Sequence, residues 1–317
     1  MFGGFTRAVA CLLVLCAGVQ CGLASPATAQ DKPAIQAVAT TSIIGDLVQN
    51  VGGARVDVVT LVGRNGDPHV FSPSPGDAKK LAQADIIFVN GLGLEGWITR
   101  LVEASGTKAR TVIVSVGVVP RTLARAGQAE RDPHAWQSLA NAEIYVANIR
   151  DGLDAVDPAG KAIYDANAAA YSQKLAALDG EIKAAINKIS AERRKVVIDH
   201  NAFGYFGDAY GLTIIPVAGL STDAEPSAKD VAAIIALVKA QHVPAVFFEN
   251  IADPRMMARI AEETGAAIGG KLYSDALSEE GGPASTYIDM MRYNGGEFSK
   301  ALSGSEAKRD ADSARAR

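Results

Sequence analysis

The chain has 317 residues, a formal net charge of −4, four histidines and three cysteines. Its length suits two domains of roughly 100–200 residues each. A mildly acidic chain without a basic stripe gives no support to nucleic acid as a partner. All three cysteines, Cys11, Cys16 and Cys21, fall in the first 29 residues. There Arg7, the apolar run AVACLLVLCAG and a small-residue stretch ending SPATA predict a secretory signal peptide over residues 1–29, cut after Ala29. Cys21 follows GVQ and Cys16 follows LVL, so neither offers the small preceding residue of lipoprotein processing. Loss of Arg7 takes the charge from −4 to −5 and leaves a periplasmic chain with neither disulfide nor thiolate ligand.

Strand and helix signals then alternate. Residues 34–40 predict a strand, SIIGDLVQNVGG a helix stopped by glycines, and RVDVVTLVG an alternating strand that ends near His69. SPGDAKKLAQA predicts a short helix with Ser74 as cap and Pro75 in its first turn. DIIFVNG and TVIVSVGV are buried-strand runs on either side of the amphipathic EGWITRLVEASG. From Asn141 to Ile189 the pattern is helical, divided at VDPAG. Some thirty Ala-, Lys-, Glu- and Leu-rich residues would span roughly 45 Å and form a rigid spine. The alternation restarts with KVVID, NAFGYFGDAYG, LTIIPVAG, SAKDVAAIIALVKAQ, PAVFFEN, DPRMMARIAEETG, AAIGGKLY and a final helical stretch.

The fold class is therefore α/β, with two lobes that are each a mainly parallel sheet with flanking helices. The expected division is an N-terminal lobe over 30–150, a linking helix over 151–191, a C-terminal lobe over 192–303 and a disordered tail over 304–317. Open α/β sheets bind ligands beyond the carboxyl ends of their strands, which places a cleft between the lobes.

The histidines sort three to one against that frame. His69 in GDPHVF and His134 in RDPHAW share an Asp-Pro-His core, and His200 directly follows KVVID. All three fall in strand-to-helix loops on the cleft side, whereas His242 lies on the opposite, helix-to-strand side. Proline restricts its own φ and that of the residue before it, so Asp-Pro-His gives a turn with a fixed histidine direction. A lone loop histidine is ordinarily polar surface, but three at equivalent positions point to a metal. Asp275, past the last strand, is the expected carboxylate ligand, although an N-cap role is also open to it. Glu249, ending PAVFFEN, suits an acceptor for a ligating histidine's second N–H. Asp67 and Asp132 precede the two prolines.

The signal peptide, GDPHVFSPSPGDAKKLAQADIIFVNGLGLEGW, DPHAWQSLANAEIYVANI, DHNAFGYFGDAYGL and LYSDALSEEGGPASTYIDMMRYN together resemble the metal-binding solute-binding proteins of zinc and manganese ABC importers, the cluster A-I type. The likeness runs from about Ala34 to Leu302. It implies a metal between two lobes joined by one long helix, held by His69, His134, His200 and Asp275. It also implies a membrane permease as partner, and a monomeric binding protein rather than an enzyme. Manganese-type members tend to carry glutamate at the position of His200. Three imidazoles and one carboxylate suit zinc, so one Zn2+ per chain is the expected cargo, with Mn2+ the alternative. The segment GVVPRTLARAGQAERD lacks the His-rich character of zinc-type loops, which leaves room for a separate periplasmic zinc donor. Two rivals are a zinc hydrolase and a receptor for an organic ligand. The first lacks any His-Glu-x-x-His motif; the second would line its pocket with Trp97, Trp136, Phe203 and Tyr205.

Overall fold

The computed structural model describes Met1, residues 35–125 and residues 128–315, without the side chains of 124, 125, 128 and 305–315. The expected signal peptide and its Ala29 cleavage point lie outside the described residues. Two four-stranded parallel sheets carry the architecture. The first holds β1 (Ile35–Thr41), β2 (Val56–Val62), β3 (Ile86–Val89) and β4 (Arg110–Ile113), in the order β2-β1-β3-β4. Helices α1 (Ser42–Gly52), α2 (Pro75–Ala82) and α3 (Ile98–Ser105) connect these strands. Every residue of β3 is buried, as a central parallel strand covered on both faces requires. Ser74 and Asp77 close α2 with a reciprocal capping box, with Pro75 in its first turn.

After β4 the chain forms an antiparallel hairpin, β5 (Thr122–Arg125) and β6 (Gln128–Arg131). Sequence pattern shows only a loop there, because the two strands are short and polar. TVIVSVGV likewise yields a shorter strand than its apolar run suggests, since β4 ends at Ile113.

The spine is divided as expected. Helix α4 (Leu139–Val156) ends in a 3-10 turn at Pro158–Gly160, and α5 (Lys161–Asn187) follows, packed against α4. Twenty-seven residues give α5 a length of about 40 Å. Its buried face, Tyr164, Ala168, Tyr171, Leu175, Leu178, Ile182 and Ile186, recurs every three or four residues. This face touches α1 of the first lobe and the C-terminal helix of the second. One hydrophobic cluster consequently runs from Ala37 through α5 to Phe298, without a break between lobes.

The second sheet holds β7 (Lys195–Ile198), β8 (Thr213–Pro216), β9 (Ala245–Glu249) and β10 (Ala267–Leu272), ordered β10-β9-β7-β8. Helices α6 (Gly204–Tyr210), α7 (Ala228–Gln241) and α8 (Arg255–Thr264) link its strands, and α9 (Tyr287–Arg315) closes the chain. Gly265 ends α8 at φ 74°, a left-handed turn that costs glycine nothing. The backbone of α9 continues helical through residues 304–315, where composition suggests a tail. That stretch has three Ala and two Arg and is free of proline, so helix is compatible with it. No helix among the described residues is long and apolar enough to cross a membrane.

Candidate metal centre

The connections after β2, β7 and β10, and the turn after hairpin strand β6 in the connection from β4 to α4, bring His69, His200, Asp275 and His134 together. One donor atom from each lies within 4.8 Å of all the others. His69 Nε2 is 3.2 Å from His134 Nε2 and 3.3 Å from Asp275 Oδ2. His200 Nε2 is 3.3 Å from Asp275 Oδ2, and His134 Nε2 is 3.7 Å from Asp275 Oδ1. Donors bound at about 2.0–2.2 Å in a tetrahedron stand roughly 3.3–3.6 Å apart, so one ion can reach all four residues. His242 caps α7 on the far side with φ 50° and takes no part.

Asp275 is buried, and its carboxylate faces the three imidazole Nε2 atoms at 3.3–3.7 Å, with no well-formed hydrogen bond to either oxygen. A buried carboxylate without well-formed hydrogen bonds is strongly disfavoured unless a cation compensates it. The electrostatics agree. Burial pushes the Asp275 carboxyl up, but His200 and His134 outweigh it and hold it well below the usual carboxylate range. Burial pulls His200 down, but Glu249 and then Asp275 hold it well above the usual histidine range.

The surrounding side chains fix the ligands. His69 N–H donates to Asp67 Oδ1 at 2.8 Å, and His134 N–H donates to Asp132 Oδ1 at 3.0 Å. The same Asp132 oxygen lies 2.8 Å from His134 Nδ1. An ionised carboxylate only accepts, so the proton sits on Nδ1 and the Nε2 lone pair faces the site. At His200 the neighbour is Glu249: Oε1 accepts the backbone N–H at 3.0 Å, and Oε2 forms a close charge contact with Nδ1 at 2.6 Å. The acceptor role expected for Glu249 matches this position.

Other partners escape sequence reading. Trp136 Nε1 and Gln137 Nε2 both donate to Ser274 O, at 2.9 and 2.8 Å, and so pin the Asp275 loop to the first lobe. Leu277 N donates to Ser42 Oγ at 3.0 Å, and Trp97 Nε1 donates to Pro68 O at 3.0 Å. The tryptophans thus anchor the loops carrying His69 and Asp275 through bonds to backbone carbonyls. Only the tryptophans gave a signal, by flanking the histidine motifs. The backbone carbonyls they reach have no sequence signature. Of the four residues only His69 keeps some exposure. It lines a cavity of about 440 Å³ with Leu92, Pro133, Leu220 and the β6 strand.

Residues 37–301 match the protein family described as "Zinc-uptake complex component A periplasmic". The manganese-binding lipoprotein MntA of Halalkalibacterium halodurans is 36% identical over 299 residues, covering 94% of this chain and 98% of that protein. The manganese ABC transporter substrate-binding lipoprotein PsaA of Streptococcus pneumoniae is 34% identical over 277 residues, covering 85% of this chain and 89% of its own. Among solved structures, the Mn-bound periplasmic metal binding protein from Candidatus Liberibacter asiaticus superposes with a TM-score of 0.78 at 31% identity, over 84% of this chain and 99% of that one. The periplasmic zinc binding protein TroA from Treponema pallidum gives 0.80 at 29%, over 85% and 99%. The expectation of zinc drawn from three imidazoles therefore stands against relatives named mainly for manganese. The chain belongs to the family of metal-binding, substrate-binding proteins of ABC importers, which are binding proteins and not enzymes.

Proposed function

We propose that this protein captures one divalent transition-metal ion through His69, His134, His200 and Asp275 and delivers it to the permease of an ABC importer, with manganese as the cargo. The observation that carries this reading is the buried Asp275 carboxylate facing three imidazole Nε2 atoms at 3.3–3.7 Å, four side chains from both lobes converging with no well-formed hydrogen bond to the carboxylate. If both oxygens bind, the residues supply five donor atoms, more than a tetrahedral zinc site takes. Carboxylate oxygen and a coordination number above four suit manganese, and the names of the similar proteins agree. Zinc is the second reading, favoured by the three nitrogens and by the rule that zinc outcompetes manganese in most N/O sites.

Export after cleavage at Ala29 would place the protein in the periplasm as a soluble monomer. These similar proteins are named lipoproteins; the residues before Cys16 and Cys21 favour the soluble form for this chain. A separate metal donor in that compartment is compatible with a chain whose hairpin carries no histidine. Purified protein loaded with Mn2+ should retain one ion per chain by elemental analysis, and His134→Ala should lose it. Retention of Zn2+ alone after growth and washing with both metals would replace manganese by zinc. Retention of neither would refute the site.

A further inference from the structure

The two Asp-Pro-His turns share more than their sequence. In each, one aspartate oxygen accepts the histidine N–H, at 2.8 Å for Asp67 Oδ1 and 3.0 Å for Asp132 Oδ1. In each, the second oxygen leads to the opposite lobe. Asp67 Oδ2 accepts from Thr222 Oγ1 at 2.5 Å, in the loop between β8 and α7. Asp132 Oδ2 accepts from Arg121 Nη1 at 2.9 Å, and Arg121 Nε donates to Asp208 Oδ2 on α6 at 2.7 Å. Both end points belong to the lobe that carries His200.

The Arg121 path is shaped by its neighbours. A Cβ at Gly204 would stand 1.5 Å from Arg121 Nη1, so only glycine lets the guanidinium lie there. The Tyr205 hydroxyl accepts Arg121 N–H at 2.9 Å and donates to Asp132 O at 3.0 Å. On the other path, Leu220 and Ser221, next to Thr222, wall the cavity that opens onto His69.

We infer that Thr222 and Arg121 are inter-lobe latches that hold the aspartates of both Asp-Pro-His turns and set how long His69 and His134 retain a captured ion. This rests on the four-residue site proposed above. Both are positioning residues, since neither touches the metal. The two latches differ in strength. Asp208 is 67% exposed, so solvent and salt screen its bond to Arg121. The Thr222–Asp67 bond is half-buried beside the one ligand with any exposure, so its loss should be felt more.

The test is stopped-flow release of Mn2+ from the full mature protein into excess chelator. Thr222→Val, which keeps the shape and removes the hydroxyl, should speed release roughly tenfold, the usual loss for one hydrogen bond to a charged group. Thr222→Ser should restore release to within about twofold of wild type, because its hydroxyl can still donate. Asp208→Asn should speed release by about two- to threefold, as expected for an exposed ion pair. High salt should then accelerate the wild type but not Asp208→Asn. Release from Thr222→Val within twofold of wild type, or no rescue by serine, overturns the inference while leaving the metal site standing. A wild type that takes up no Mn2+, or takes it up equally well after His200→Ala, defeats the site itself.

Discussion

Replacing Glu249 by glutamine removes one buried charge and keeps the side chain's shape. Glu249 Oε1 accepts the His200 N–H at 3.0 Å, Oε2 lies against Nδ1 at 2.6 Å, and the Glu249 N–H donates to Asp199 Oδ2 at 2.8 Å. A carboxylate against Nδ1 raises the basicity of Nε2 and orients the ring, and losing such a partner weakens metal binding by about 10- to 100-fold. That is about 1.4–2.8 kcal/mol. The pH dependence makes the prediction specific. With burial opposing them, Glu249 and Asp275 hold His200 well above the ordinary histidine range. Metal-free His200 therefore keeps its proton to higher pH than a free imidazole, and the incoming ion must expel it. Apparent affinity then falls as pH drops below the raised value. For the metal-free fold the sign is opposite: the raised histidine adds stability that is fully present below about pH 6.5 and is lost as pH rises through its folded pKa. Glutamine removes the leading charge behind the upward shift, so His200 in the variant sheds its proton at a lower pH. The affinity defect should accordingly be widest at pH 8.5 and narrow steadily toward pH 6.5, measured by competition against a chelator of known pH dependence. A variant-to-wild-type ratio that stays constant across that range refutes the coupling between Glu249 and His200.

Two further outcomes follow from the same cluster. Burial and the charge of Glu249 push the Asp199 carboxyl from 3.8 up to about 7, so its ionised form opposes folding. Stability is therefore lost between pH 3.8 and about 7 and stays low above it. Asp199→Asn keeps an acceptor for Glu249 N–H and should stabilise the metal-free protein above pH 7, by at most about 4 kcal/mol. The gain in thermal midpoint should fade as pH falls toward 4; a gain of equal size at both ends means that charge is not its cause. His200→Glu should raise manganese affinity relative to zinc, since it exchanges a nitrogen for hard oxygen and adds negative charge. Paired titrations with both metals read the ratio, and a zinc preference that is unchanged or larger removes His200 from the selectivity argument.

Much of the site is legible in the sequence because parallel α/β topology converts chain order into place. A residue in a strand-to-helix connection lies at the sheet's carboxyl edge; this places His200 directly, His69 and His134 by their longer connections and shared Asp-Pro-His turn, and excludes His242. Asp275 follows by the same rule, and Glu249 by ending a strand beside β7. The hairpin β5–β6 is not legible, since its eight residues include Thr, Gln, Glu and Arg and lack the apolar alternation that marks a half-buried strand. Nor is the anchoring of Ser274 by Trp136 and Gln137, which joins residues 138 and 137 positions apart. A backbone carbonyl carries no side-chain label, so such a bond leaves no trace in composition or spacing.

The recurrence of Asp-Pro-His shows where the boundary between the two kinds of information runs. Proline before the histidine and aspartate before the proline specify a turn, and one carboxylate oxygen completes it by accepting the histidine N–H. That much is local, and a six-residue window contains it. The second oxygen is then left facing outward with its capacity unspent, and a buried or half-buried carboxylate oxygen requires a donor. The second lobe supplies the donor itself at the Asp67 turn, with Thr222, whereas at the Asp132 turn the donor is Arg121 of the first lobe, which Asp208 of the second lobe holds in turn. A motif that aims a histidine thus leaves, by the chemistry of its aspartate, a second oxygen whose partner lies outside the motif. One buried core runs along α5 through both lobes, and cross-cleft bonds are made at both turns. Ligand geometry and lobe contact are in this way two consequences of the same pair of carboxylates.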